Sequence, residues 1–183
     1  MIKGEPLNFQ ISNGETVIIR EARGDDAARL LEYIDAISVE SEYLTFGKGE
    51  FVMTVEQEIQ FLEQTAKQPN AIYFVAEIDS KIIGAASFAG GSRPRLKHVG
   101  EFGVSVSKGY WGNGIGTTLV QSILDWSKQT GIIRKVDLLV RADNVSAIHV
   151  YKKLGFSIEG IQSRSLCIDG IFYDSILMGY KVD

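Results

Sequence analysis

The apolar positions of this chain fall into short β-type runs and helix-period stripes. Thr16-Val17-Ile18-Ile19-Arg20-Glu21 is apolar and β-branched and reads as a first strand. Asp25 and Asp26 open a helical pattern whose inner side should carry Ala28, Leu31, Ile34 and Ile37 or Ser38. Thr54-Val55-Glu56-Gln57 has capping-box spacing. It starts a second helix with Ile59, Phe61 and Leu62, which should stop before Pro69-Asn70. Ala71 to Ile78 and Lys81 to Phe88 predict a hairpin turning at Asp79-Ser80, and Gly90 to Arg95 a loop with a basic tip. Glu101 to Ser107 predicts a strand. The following helix has Leu119, Ile123 and Trp126 as its inner stripe and Gly131 just past its end. Lys135 to Arg141 predicts a strand, continuously apolar at Leu138-Leu139-Val140. Asp143 or Asn144 then caps a short helix that ends at Gly155. Phe156 to Cys167 and Ile171 to Tyr180 form a closing hairpin around Asp169-Gly170. No repeat or linker interrupts this order. The expectation is one domain over residues 1–183, with residues 1–14 as an N-terminal extension.

The candidate chemistry begins at Gly112-Asn113-Gly114-Ile115-Gly116, between a strand pattern and a helix pattern. Glycines at alternate positions let the backbone turn tightly. The N–H groups of such a turn, with the first turn of the next helix, form an anion cradle. Two familiar phosphate loops fail on spacing. A P-loop needs a lysine before Ser or Thr, whereas Thr117 follows Gly116 directly. A dinucleotide fingerprint needs two residues between its second and third glycines, and here Ile115 stands alone.

Composition narrows the class. Hydrophobic content of 45% and charged content of 23% are ordinary for a soluble globular protein. No apolar run approaches a membrane span. Met1 to Gln10 lacks a basic-then-apolar export pattern, so a cytoplasmic location is expected. The single cysteine, Cys167, excludes an internal disulfide, and with only His98 and His149 a metal centre is not expected. A net charge of −4 argues against general nucleic-acid binding. Residues 25–63 hold ten acids and two bases, leaving −8 there against +4 over the rest. Two readings are open: solvated helix faces, or a surface that attracts a cation.

The glycine turn and its flanks, Val104-Ser105-Val106-Ser107-Lys108-Gly109-Tyr110-Trp111-Gly112-Asn113-Gly114-Ile115-Gly116, resemble the acyl-coenzyme A signature of the GNAT acetyltransferase superfamily. Further on, Asn144-Val145-Ser146-Ala147-Ile148-His149-Val150-Tyr151-Lys152-Lys153-Leu154-Gly155-Phe156 resembles its second signature. The resemblance covers Val17 to Tyr180. It departs at Trp111, where the superfamily usually has Arg or Gln. A Trp there looks like the branch of ribosomal-protein N-terminal acetyltransferases. Ala147 to Gly160, with Ile168-Asp169-Gly170, also resembles spermidine acetyltransferases.

The resemblance implies an α/β fold of the α+β type. Its mixed, mostly antiparallel sheet would have about seven strands and about four flanking helices, splayed between the fourth and fifth strands. It implies acetyl-CoA as co-substrate. The pantetheine arm would pair with the main chain at Val104 and Val106. The diphosphate would sit on the N–H groups of Trp111, Gly112, Asn113, Gly114, Ile115, Gly116 and Thr117. Trp111 packs beside the cofactor or is a plain aromatic. Asn144 caps its helix, bonds the pantetheine, or both. Tyr151 shares a helix face with Asn144 and Ala147. It is either the general acid for the leaving thiolate or a core tyrosine. Glu101, sharing one strand face with Gly103 and Ser105, is the candidate base, with a solvated strand residue as the alternative. His149 and Cys167 need no catalytic role. The −8 segment would wall the acceptor site, with Glu40, Glu42 and Tyr43 foremost. The acceptor would be a small amine, such as a polyamine or aminoglycoside, or a protein N-terminus. A homodimer through the closing strands is conceivable. A non-catalytic acyl-CoA sensor and a nucleotide-binding protein are the competing classes.

Overall fold

The computed structural model describes residues 5–183. The part of the N-terminal extension before residue 5 lies outside the described residues. The elements are β1 (Leu7–Gln10), β2 (Thr16–Glu21), α1 (Ala27–Ser38), α2 (Val55–Lys67), β3 (Ala71–Ile78), β4 (Lys81–Gly90) and β5 (Val99–Val106). They continue with α3 (Ile115–Thr130), β6 (Lys135–Arg141), α4 (Val145–Lys153), β7 (Ser157–Ile168) and β8 (Ile171–Lys181). One eight-stranded sheet runs β1-β2-β3-β4-β5-β6-β8-β7. The β5–β6 pair is parallel and the other neighbours are antiparallel.

The seven-strand expectation omits β1. This strand is four residues long and mostly exposed, too short for a periodicity to register. It pairs with β2, Leu7 opposite Ile19, through a turn at Asn13-Gly14 where Gly14 adopts φ +88°. An Asn-Gly pair after the alternating Leu7-Asn8-Phe9-Gln10 is the signal that marks it.

Local chemistry accounts for most boundaries. Thr54 closes the expected capping box, its Oγ1 accepting from the Gln57 amide (3.2 Å) while its own N–H donates to Gln57 Oε1 (2.9 Å). Asp79-Ser80 and Asp169-Gly170 carry positive φ at both positions, as the tight hairpin turn requires. Gly131 ends α3 in the left-handed region at φ +65°.

Two cores lie on the two faces of the sheet. One gathers Leu119, Ile123 and Trp126 of α3 against Phe88, Phe102, Val136 and Leu138. The other gathers Leu30, Ile34 and Ile37 of α1 and Leu62 of α2 against Val75 and Ala85. The inner side of α1 is rotated from the sequence expectation. Leu30, Tyr33, Ile34 and Ile37 are buried, whereas Ala28 is exposed and Leu31 only partly covered. Tyr33, spaced to share the stripe, carries more apolar area than Ala28 and takes the inward position. Phe61 and Leu139 are also exposed, at 43% and 41%. In β6 the side chains of Val136, Leu138 and Val140 turn inward, so the apolar run alternates faces instead of being buried on both.

Candidate active site

The sheet opens at one place. β5 pairs with β6 only at Val99–Lys135, Gly100–Val136 and Glu101–Asp137. Beyond that rung each strand follows its other neighbour. β5 stays on β4 as far as Val106 opposite Gly84, and β6 stays on β8 as far as Arg141 opposite Ser175. The Ser107 amide donates to the Ile83 carbonyl across 2.9 Å, which fixes the phase of the β4–β5 ladder. Antiparallel alternation then sends the main-chain groups of Val104 and Val106 away from β4, into the gap. One of these is taken: Trp111 Nε1 donates to the Val106 carbonyl across 2.7 Å. The indole remains 48% exposed at the mouth of the gap.

The glycine turn lies just past the end of β5. Gly112 and Gly114 each adopt φ +79°, a conformation L side chains rarely take. A Cβ at either would meet nothing within 4 Å, so the turn faces open space that a ligand can approach closely. Gly116 is helical, and its Cβ would lie 3.7 Å from Val106 Cγ2. The Thr118 amide is the first to close back, onto the Gly114 carbonyl at 2.9 Å. The N–H groups of Ile115, Gly116 and Thr117 therefore point out of the first turn of α3. Asn113 shapes the turn from within: its Nδ2 reaches the carbonyls of Tyr110 (3.2 Å) and Trp111 (3.3 Å), and its Oδ1 accepts from Ser12 Oγ (2.7 Å). This open cradle of main-chain donors fits a diphosphate.

Asn144 caps α4, its Oδ1 accepting from the Ala147 amide at 3.2 Å, which leaves its amide nitrogen outside the cap. Two turns on, Tyr151 is 8% exposed. Its ring meets Phe102 (5.8 Å between centroids) and Phe156 (5.9 Å) edge-on. Burial pushes the phenol up to about 12. The ring of Tyr151 is therefore part of the core, and it packs against Phe102 of β5 just past the last β5–β6 rung.

Glu101 is exposed on the opposite face of β5, at the last rung before the splay. Partial burial, with the Asp137 carboxylate nearby, raises its carboxyl above the ordinary value. The same face carries Ser105, whose Oγ accepts from the Tyr33 hydroxyl at 2.9 Å.

The acidic segment is not uniformly solvated. Asp26 is buried and ion-paired with Arg20 (2.7 Å) and with Arg29. Burial alone would raise its carboxyl, yet Arg20 and the Arg23 amide hold it below the usual value. Glu58 is 1% exposed, and its Oε2 has no partner among the described residues. Glu40 Oε2 accepts from the Lys108 amide at 2.8 Å. Glu42 pairs with Arg141 (3.0 Å), and the Tyr43 ring lies 4.4 Å from the same guanidinium. Arg141, Tyr173 and Glu58 were not expected from sequence. Arg141 is a charge closing an apolar strand, and nothing in its neighbourhood along the chain distinguishes it from a surface residue. Among the described residues, no group of His, Cys, Asp and Glu could hold a metal ion, and no helix is long and apolar enough to cross a membrane.

Residues 33–156 match the acetyltransferase (GNAT) family. The chain is 31% identical to the L-amino acid N-acetyltransferase AaaT of Escherichia coli (strain K12) over 63% of its own length and 72% of that protein. It is 32% identical to the spermidine N(1)-acetyltransferase of the same organism over 57% of its length, a match spanning 55% of that relative. A GNAT-family acetyltransferase of Streptococcus pneumoniae superposes with a TM-score of 0.89 at 34% identity, covering 91% of this chain and 99% of that one. The splayed sheet, the glycine turn and the matched residues agree: this chain belongs to the GNAT acetyltransferase family.

Proposed function

We propose that this acetyltransferase moves an acetyl group from acetyl-CoA to a primary amine by direct attack in a ternary complex. The proposed acceptor is cationic: a polyamine, an aminoglycoside-like amine or a protein N-terminus. The observation that carries the reading is the splay, with free main-chain groups at its edge, a glycine turn at its end, Tyr151 on one side and Glu101 on the other. Two amine acetyltransferases among its relatives support the acceptor class.

In this reading the N–H groups from Trp111 to Thr117 hold the diphosphate. Val104 and the Val106 amide pair with the pantetheine arm, which Asn144 also meets through its side-chain nitrogen. Acetyl-CoA supplies the thioester. A primary amine with a pKa of about 10.4 arrives protonated, so Glu101 removes a proton, directly or through water. The amine nitrogen then bonds to the acetyl carbon, and an N–H of the Val104–Val106 stretch stabilises the oxyanion. Tyr151, held protonated by burial, donates to the sulfur as the carbon–sulfur bond breaks, and the second proton of the attacking nitrogen passes to the phenolate, directly or through water, as the amide forms. Glu40, Glu42 and Tyr43 form the acceptor wall.

Thiol release from acetyl-CoA, measured against a panel of polyamines, aminoglycosides and short peptides, tests the proposal. Release with at least one amine, matched by a product 42 Da heavier (about the mass of an added acetyl group), is the expected result. Tight acetyl-CoA binding without release from any of them would favour the sensor reading.

A further inference from the structure

Arg141 ends β6 beside the open part of the splay and is only 6% exposed. Its guanidinium is engaged along its edges by hydrogen bonds and stands over two aromatic rings. Asp143 accepts from Nε (2.6 Å) and Nη2 (3.0 Å). Glu42 accepts from Nη2 through its carboxylate (3.0 Å) and from Nη1 through its main-chain carbonyl (2.9 Å). The rings of Tyr43 and Tyr173 lie 4.4 and 4.2 Å from the guanidinium carbon. A planar, permanently charged group can donate forked bonds along its edge and stack against rings at once; an ammonium cannot.

The partners come from three separate places. Glu42 and Tyr43 belong to the connection between α1 and α2, Asp143 precedes α4, and Tyr173 is on β8. Two residues before Glu42, the Glu40 carboxylate accepts from the Lys108 amide, just beyond the end of β5. Glu40 thus reaches the end of one splayed strand, and Glu42 reaches the end of the other. The short stretch between them straps the mouth of the gap. Apart from these two anchors, the hydrogen bonds of residues 41–50 among the described residues are local: Ser41 with Ile37 and Tyr43, and Gly47 with Glu50.

We propose that Arg141 is a positioning residue for acceptor recognition: it pins the Glu40–Tyr43 strap across the splay and thereby sets which amines reach the thioester. The proposal rests on the acetyltransferase reading above. It also changes what the acidic wall can do. Glu42 and Asp143 share the one Arg141 guanidinium, so the cluster keeps a single net negative charge and this part of the wall selects by shape and aromatic surface as well as by charge. An acceptor must pass between the strap and the sheet, where Leu139 shares the Arg141 side of β6 and is 41% exposed.

The test compares Arg141→Lys and Tyr43→Leu with the wild type, using the best amine found in the panel. Arg141→Lys keeps the charge but loses the fork and the stacking on two rings. The expected result is an acceptor KM raised about tenfold or more, an acetyl-CoA KM within about twofold, and faster amide hydrogen exchange over residues 40–43. Tyr43→Leu, at an exposed position with little consequence for folding, should raise the acceptor KM about threefold. It should also change the ratio of kcat/KM between spermidine and a peptide acceptor. Unchanged acceptor KM and unchanged selectivity in both variants would overturn the positioning role while leaving the acetyltransferase reading intact. A wild type that acetylates none of the amines overturns that reading first, and this proposal with it.

Discussion

The indole nitrogen of Trp111 donates to the carbonyl of Val106 across 2.7 Å, tying the residue that opens the glycine turn to the last residue of β5. The bond spans the corner where the splay meets the cradle. Trp111→Phe keeps an aromatic ring and removes the donor. A neutral hydrogen bond contributes about 1 kcal/mol, close to a fivefold change in an equilibrium constant. Acetyl-CoA binding should weaken by about that factor, measured by calorimetry, with little change in melting temperature. A larger fall in stability than in affinity would mean that the indole serves packing instead.

Gly114→Val addresses the cradle. The position holds φ +79° with open space where a Cβ would go, so any fault arises from backbone conformation and from the approaching ligand. A left-handed conformation costs an L residue roughly 1–2 kcal/mol. CoA affinity should fall by tenfold or more, about the factor that such an energy gives. Undiminished CoA binding would remove the cradle assignment.

Tyr151→Phe should lower kcat by a factor of about 10² or more with the acetyl-CoA KM nearly constant. The ring keeps its contacts with Phe102 and Phe156, so the fold should be unaffected. The pH profile separates the two proposed proton carriers. With the phenol held up at about 12, Tyr151 stays protonated across neutral pH and imposes no alkaline limb there. Glu101 must be ionised to act as a base, and its carboxyl is raised. Activity should therefore fall as the pH drops through an ionisation above the ordinary carboxylate value of about 4.3. Glu101→Gln should lower the rate and abolish that limb. A limb that survives the substitution assigns the base elsewhere.

Glu58 offers a prediction on stability alone. Burial raises its carboxyl, and one of its oxygens has no partner among the described residues. The folded state therefore holds the proton more tightly than the unfolded chain does. Its destabilising effect is absent below the unfolded value of about 4.3, grows as the pH rises towards the raised folded value, and is complete above it. Glu58→Met should stabilise the protein at neutral pH by about 1–3 kcal/mol. The gain should shrink on acidification, as read from thermal unfolding at several pH values. A loss of stability at neutral pH would mean that the carboxylate has a favourable role in the folded protein.

Much of this architecture was legible in the chain because local chemistry dictated it. The Thr54 box, the Asp79-Ser80 and Asp169-Gly170 turns and the glycine at 131 are each fixed by residues within a few positions. The cradle was legible for the same reason. What escaped was set by distant partners. Leu139 is as apolar as Leu138, and only the pairing of β6 decides which of them faces the core. Glu42 stands out in sequence as a candidate wall acid, but its pairing with Arg141 does not, because that partner lies 99 residues away. Glu58 has ordinary amphipathic-helix surroundings in sequence, and its burial is a property of how α2 sits on β3 and α1. Tyr33 displaced Ala28 from the inner face of α1 once a tertiary contact with Ser105 was available.

The hydroxyl of Ser12, in the first hairpin, reaches across 101 positions to the Asn113 side chain that shapes the glycine turn. The first hairpin is thereby tied to the turn proposed to hold the coenzyme. A tag, a cut or a modification that disturbs this hairpin should be felt in CoA affinity before it is felt in the fold. Work on the protein would do well to attach labels at the other terminus.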